Sequence, residues 1–389
     1  MPGSRNSPRC GVCGSKLVKN GVTSAGRTRW RCKTCGSSTT QQRPDISRRG
    51  DLGAFTGWLL GKHSQAEYGG GTGRSLRSRI AWCWDITVPQ PHPTGEVHRQ
   101  IILDGTYFAD WCVLIAHNGR HVIGWQWCNA ENKTAWGQLI RQFPAPDVVV
   151  TDGGTGLRSA LDIYWPRTKI QRCYFHVFAA VRRHTTLHPR LQAGREILDL
   201  TRRLMSVKDL DAAATWMGAY VSWETRWAKL LSERTYASSA TQRPSWARPS
   251  QRWWYTHIRL RRVQGLYRQL IRDQALFTWL NDAYLEDGDR TVDRTTSRLE
   301  GGPNNAIKHL LRHHRGLSNT HAPRAVDWLL NSLTEHPHDP WQLAQDHLRS
   351  DQSRPAPEQT EDPIGPARYD TGLTPEEGLW TRRGWAGRS

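Results

Sequence analysis

Two short apolar runs that each end in aspartate constrain this chain most. Ile101-Ile-Leu103 leads into Asp104-Gly-Thr-Tyr107, and Val148-Val-Val150 leads into Thr151-Asp152-Gly-Gly154. Apolar runs this short, closed by turn residues, read as buried strands. If the two strands are neighbours in a sheet, the two carboxylates meet. Carboxylates held close repel unless one is protonated or a cation lies between them.

The segments around these runs set the expected architecture. Trp111–Ala116 and His121–Trp127 flank Asn118-Gly119, a two-residue hairpin signal. Glu131–Gln142 reads as a helix, Gly156–Tyr164 as a second, Lys169–Arg172 as a strand, and Tyr174–Arg183 as a third helix. Three antiparallel strands followed by helix–strand–helix–strand–helix is the ribonuclease H-like order, a mixed sheet with helices on both faces. Hard oxygen ligands at Asp104 and Asp152 suit Mg²⁺ or Mn²⁺. Two such ions roughly 3.5–4 Å apart stabilise both the attacking and the leaving oxygen of in-line phosphoryl transfer.

Such a site needs a third carboxylate, and Glu300 is the candidate. In Leu299-Glu300-Gly-Gly-Pro-Asn-Asn-Ala-Ile-Lys308, helical spacing would put Glu300, Asn304 and Lys308 on one face. Arg312 and Arg315 follow, and with Lys308 would hold phosphates beside the metals. The nearby acids Glu286, Asp287, Asp289 and Asp293 read as a solvated acidic loop.

The amino-terminal end carries a different signature. Cys10-Gly-Val-Cys13 and Cys32-Lys-Thr-Cys35 are two Cys-x-x-Cys knuckles, each followed by glycine, which permits a left-handed turn. Together they suit one structural Zn²⁺ with Zn–S near ~2.3 Å, holding a segment too short for its own core. Lys16–Trp30 between them reads as a hairpin turning at Asn20-Gly21, and Arg27, Arg29, Arg31 and Lys33 surround Trp30 as candidate DNA contacts. The other four cysteines are scattered and no export signal precedes them, so the expected setting is reducing and cytoplasmic. Further on, Leu52–Leu60 has helical spacing, Ser64-Gln-Ala-Glu67 is a capping box, and Arg74, Arg77 and Arg79 sit on a following helix. That outline is helix-turn-helix-like.

Charge agrees with a polyanionic partner. The formal net charge of the 389 residues is +19. Residues 1–50 hold eleven basic side chains against one acid, Asp45. Basicity concentrated in this way fits nucleic acid, and the lack of any long apolar run excludes a membrane-spanning helix. The 20 Trp argue against wholesale disorder.

Asp104-Gly-Thr-Tyr, Thr151-Asp152-Gly-Gly, Arg172-Cys-Tyr-Phe-His176 and Leu299-Glu300-Gly-Gly-Pro-Asn, taken in this order, resemble the Mutator-like superfamily of DDE transposases, in particular the bacterial insertion-sequence branch with an amino-terminal zinc ribbon. The resemblance covers about residues 8–325. It implies that Asp104, Asp152 and Glu300 are the catalytic, metal-binding triad. It matches Cys173 and His176 to the family's Cys-x-x-His signature, as active-site or DNA-contact candidates alongside Asn304, Lys308, Arg312 and Arg315. It also explains the long gap before Glu300 as a helical insertion, rich in Arg and Trp, that contacts element ends.

The expected organisation is a zinc ribbon (1–45), a helix-turn-helix-like DNA-binding domain (46–88), an α/β ribonuclease H-like core (96–186), an all-α insertion (187–290), the rest of the core with the Glu300 helix (291–335), and a carboxyl-terminal tail (336–389). The expected activity is that of a DNA transposase using two Mg²⁺ (or Mn²⁺) ions and one Zn²⁺. Its partners would be double-stranded DNA (terminal inverted repeats and target) and further copies of itself in a homodimer or larger assembly, with no membrane. It would be bacterial, cytoplasmic and nucleoid-associated. The alternatives are a ribonuclease H-like nuclease without strand transfer and a non-catalytic DNA-binding derivative.

Overall fold

The computed structural model describes residues 9–10, 12–24, 26, 28–40, 44–69, 72–281 and 292–350. Arg27, the acids Glu286, Asp287 and Asp289, and the tail from 351 onward with Trp380 and Trp385 lie outside the described residues. The chain divides into two compact units. One gathers the described residues of Met1–Pro91 and Ala306–Glu358, the other those of His92–Asn305.

The second unit is built on a five-stranded mixed sheet. Its strands are β4 (Gln100–Phe108), β5 (Trp111–His117), β6 (Val122–Cys128), β7 (Val148–Thr151) and β8 (Lys169–Arg172), after three short amino-terminal strands. The spatial order is β6-β5-β4-β7-β8. The pairs β4–β5 and β5–β6 are antiparallel, while β4–β7 and β7–β8 are parallel. The mixed α/β sheet expected from the sequence is therefore present. Crossovers supply the helices that parallel pairs require: α4 (Lys133–Ile140), α5 (Thr155–Tyr164) and α6 (Tyr174–Thr185), numbered after three helices of the first unit. Helix α4 starts later than its apolar spacing suggests, because Asn132 caps it by accepting from the Ala135 N–H at 2.8 Å. That leaves Glu131 outside the helix.

One face of the sheet packs Ile101, Leu103, Leu114 and Val149 against Trp136 and Leu139 of α4 and Leu157 and Leu161 of α5. Helices α7 (Gln192–Arg203), α8 (Leu210–Arg226), α9 (Ala228–Ser232) and α10 (Ile258–Arg272) join α6 in a separate core centred on Trp216, Tyr220, Trp223 and Tyr267. The region is not all-α as expected. Strands β9 (Arg234–Tyr236) and β10 (Trp253–Tyr255) pair antiparallel. Alternation of Arg, Thr, Tyr and Trp suits a pleated surface there, and Arg234 stacks over Trp253 at 4.0 Å.

In the first unit, β1 (Leu17–Val22), β2 (Thr28–Cys32) and β3 (Ser38–Thr39) make a small sheet. The turn does not fall at Asn20-Gly21. Those residues stay in β1, with Gly21 at φ +81° beside a break in register between Lys19 and Val22, so they form an irregularity within the strand. Helices α1 (Pro44–Leu59), α2 (Gln65–Gly69) and α3 (Arg74–Ile80) follow. The capping box is formed: the Ser64 N–H donates to Glu67 Oε2 at 2.7 Å, and the Glu67 N–H to Ser64 Oγ at 3.3 Å.

Helices His321–Ser332 and Pro340–Ser350 belong to this same unit, which departs from the expected split at 291 and 336. The cause is aromatic packing. Phe55 lies 4.8 Å from Trp84 and 5.9 Å from Trp328, and Trp84 stacks on His321 at 4.3 Å. His314 Nε2 meets Leu59 O at 2.9 Å. Residues 340–350, expected as part of a tail, are helical. Among the described residues no helix is long and apolar enough to cross a membrane.

Candidate active site

Sheet register creates the centre of the site. Leu103 of β4 pairs with Thr151 of β7, so Asp104 and Asp152 follow at adjacent positions where the parallel pairing ends. Asp104 is enclosed. Burial, then the charge of Asp152, pushes its carboxyl up to about 7, with Glu300 adding to the rise and His176 opposing it. Asp152 is fixed by its own turn: Oδ1 accepts from the Gly154 N–H at 2.9 Å and from Thr151 Oγ1 at 3.3 Å.

A third carboxylate at this spot escaped the sequence reading. Glu131, just before the Asn132 cap, is buried beside both aspartates. Burial first, then Asp152 and Asp104, holds its carboxyl well above the ordinary range. It lies directly over Gly105, where an added Cβ would stand 2.4 Å from Glu131 Oε1. Gly105 was the available signal, because glycine inside a strand marks a close approach.

Glu300 reaches the site by another route. The chain turns once as a helix at Ser297–Leu299, makes a wider π-type turn over Glu300–Asn304, and continues as a helix over Asn305–His313. Gly302 is non-helical inside that turn (φ −93°, ψ −105°), and Pro303 follows it. The straight helical face expected for Glu300, Asn304 and Lys308 is therefore broken. Asn304 Nδ2 donates to Asp104 Oδ2 at 2.7 Å, while Glu300 Oε1 accepts from Thr296 Oγ1.

Cys173 and His176 stand beside Glu300, whose Oε1 is 3.8 Å from His176 Nδ1. Cys173 is fully buried, and its Sγ accepts from the Thr296 N–H at 3.3 Å and lies 3.3 Å from Thr296 Oγ1. Burial resists charge on both side chains, but each favours the other's ionised form. Cys173 is lowered, and His176 is raised to about 10 with help from Asp152 and Asp104. Potential ligand atoms of Cys173, His176 and Glu300 all lie within 4.8 Å of one another. Asp104, Asp152 and Glu300 do not close into so tight a set among the described residues. Glu300 takes its bond from Thr296.

The other candidate residues lie in the first unit. The four thiols of Cys10, Cys13, Cys32 and Cys35 fall within 4.8 Å of one another, with Sγ–Sγ distances of 3.5 Å (Cys10–Cys35) and 3.4 Å (Cys13–Cys32). Four soft ligands converging in this way fit Zn²⁺. Backbone N–H groups lower Cys10 and Cys32, and Ser15 lowers Cys13. The Ser37 N–H likewise favours the Cys35 thiolate, yet bonds shared with Cys10 and Cys13 push that thiol up to about 12. A crowd of thiols that cannot all ionise together is what a divalent cation relieves. Arg29 and Arg31 alternate outward along β2 while Trp30 packs inward against Cys10, Leu17 and Cys32, and Lys33 is exposed after them. Arg74 and Arg77 are exposed on α3, and Arg79 pairs with Asp51 at 3.2 Å. Lys308, Arg312 and Arg315 are also exposed in this unit.

Residues 103–180 match the family model of the MULE transposase domain. That span holds Asp104, Glu131, Asp152, Cys173 and His176 and ends before Glu300. Over 169 residues the chain is 28% identical to the "Transposase for insertion sequence element ISRM5" of Rhizobium meliloti (strain 1021), an alignment covering 41% of this chain and 39% of that protein. Both findings support the resemblance to Mutator-like insertion-sequence transposases that the four motifs carry.

Proposed function

We propose that the chain is a DNA transposase of an insertion sequence, with a ribonuclease H-like core whose triad is Asp104, Asp152 and Glu300. The observation that carries the reading is the parallel register that sets Asp104 beside Asp152, with Asp104 pushed to about 7 by burial and by its neighbour. Such a pair fits divalent cations, which would supply charge neutralisation and polarisation at the reacting phosphate. Asp104 and Asp152 would hold them. Asn304 orients the Asp104 carboxyl through its 2.7 Å bond, and Thr296 does the same for Glu300. Burial, then the charges of Asp152 and Asp104, disfavour the charged form of Glu131, so its carboxyl holds a proton more tightly than an ordinary carboxylate beside the pair. The imidazolium form of His176, favoured by Cys173 and the aspartates, puts positive charge 3.8 Å from Glu300 Oε1.

In this reading the thiolate cluster folds around one Zn²⁺, and Arg29, Arg31, Lys33, Arg74, Arg77 and the less free Arg79 bind element ends, with Arg27 between the knuckles. Lys308, Arg312 and Arg315 are further phosphate contacts. Two DNA ends must be aligned for strand transfer, which calls for a homodimer or larger assembly. The test is joining of a labelled 3′ end to target DNA in Mg²⁺ or Mn²⁺. Joined product supports the transposase, whereas cleavage without joining would instead identify a nuclease.

A further inference from the structure

Arg172 stands at the second unit's reaction centre, and the proposed mechanism gives it no task. It closes β8, and the register of β7 with β8 pairs it with Thr151. Its backbone is fixed by a 2.7 Å bond from its N–H to Ala275 O, and the next N–H, of Cys173, donates to Thr151 O at 2.8 Å. From that anchor the guanidinium reaches over Gly153. A Cβ added to Gly153 would stand 0.7 Å from Nη1 and 1.7 Å from Cζ, and Gly153 is itself at φ +90°. The glycine therefore serves two needs, the left-handed backbone and the room for this side chain.

The cation has no matching partner. Nε is sealed from solvent and makes no hydrogen bond. Among the described residues neither terminal nitrogen has a hydrogen bond or an ion pair, although Asp152 and Cys173 supply favourable negative charge nearby. A half-buried guanidinium whose Nε is sealed without a partner calls for a functional explanation. Holding Asp152 in place does not explain it, because the Gly154 N–H and Thr151 Oγ1 already fix that carboxylate. A guanidinium presents a planar fork of donors matched to two oxygens of a phosphate.

Resting on the transposase reading of the same site, we propose that Arg172 is a catalytic residue that binds the non-bridging oxygens of the reacting DNA phosphodiester beside Asp152. It neutralises charge as the phosphorus becomes five-coordinate. It neither gives nor takes a proton.

The test uses the full-length protein and a 5′-labelled duplex carrying the inverted repeat that flanks the gene. Arg172→Gln should slow strand cleavage about 10²–10³-fold, the loss typical of removing one transition-state donor. Binding of the duplex and the thermal stabilisation given by Mn²⁺ alone should stay within twofold of wild type. Arg172→Lys, which keeps charge but not the fork, should recover part of the rate. If Arg172→Gln does not fold, Arg172→Lys carries the test, with a loss of about tenfold expected. Wild-type cleavage by the folded variants would overturn the inference. So would a parallel loss of Mn²⁺ stabilisation, since Arg172 would then act through Asp152. Asp104→Ala is run beside them. Cleavage by that variant would overturn the reading of the site itself, whereas an inactive Asp104→Ala with an active Arg172→Gln would overturn only the role of Arg172.

Discussion

Replacing Asp104 by asparagine should make the metal-free protein more stable while destroying its activity. The folded Asp104 carboxyl is pushed up to about 7 by burial and by Asp152, against ~3.9 in an unfolded chain. A carboxyl that holds its proton more tightly when folded contributes stability at low pH. That contribution is lost as pH rises from about 4 through 7. At pH 8 the charged form costs about 1.36 × (7 − 3.9), or roughly 4 kcal/mol, and at pH 5 only about 1.5 kcal/mol. Relaxation and water entry lower such costs, so a gain of about 2 kcal/mol is expected for Asp104→Asn at pH 8. For a unit of this size that is roughly 4–8 °C in Tm. The new amide oxygen can still accept from Asn304 Nδ2, and the new amide N–H groups face the acceptors of Asp152 and Glu131. Thermal unfolding in EDTA, followed by circular dichroism at pH 5 and pH 8, measures the effect. A destabilised variant at pH 8, or a gain no larger at pH 8 than at pH 5, would refute the reasoning.

Three further outcomes follow from the same geometry. The protein should carry one zinc per chain by atomic emission, and Cys32→Ser should lose it, since three thiolates with an open position bind far less tightly than four. Glu131→Gln should destabilise the metal-free protein less than Glu131→Ala does, because burial and the two aspartates already disfavour the charged carboxylate and the amide keeps its shape over Gly105, whereas Glu131→Ala should cost about 1–3 kcal/mol in denaturant unfolding. Trp328→Ala should cost about 3–5 kcal/mol in the unit where it packs on Phe55, seen as loss of near-ultraviolet dichroism at lower denaturant.

Much of the sheet was legible because its strands carry simple signals. The apolar runs before Asp104 and Asp152 and the Asn118-Gly119 hairpin place β4 to β8 in order. Packing over long sequence distances was not legible. Nothing local says that Phe55 and Trp84 will meet Trp328 and draw residues 306–350 into the amino-terminal unit. Hairpin β9–β10 was hidden inside a stretch whose Leu and Trp spacing reads as helix. At the site, acids at strand ends stood out, whereas Glu131 looked like the first residue of a helix. Its approach to Asp104 is recorded only in Gly105, and the posture of Arg172 only in Gly153. Cys173 and His176 lacked a visible partner because Glu300, which supplies one, comes from the far side of the helical region.

The most direct test of the central claim is metal-dependent cleavage of an element end by wild type and by Asp104→Ala, Asp152→Ala and Glu300→Ala, with end binding measured on the same samples. Wild type should cleave in Mg²⁺ or Mn²⁺, none of the three variants should, and all of them should bind the end largely as wild type does. Cleavage by any variant, or loss of end binding together with activity, would contradict it.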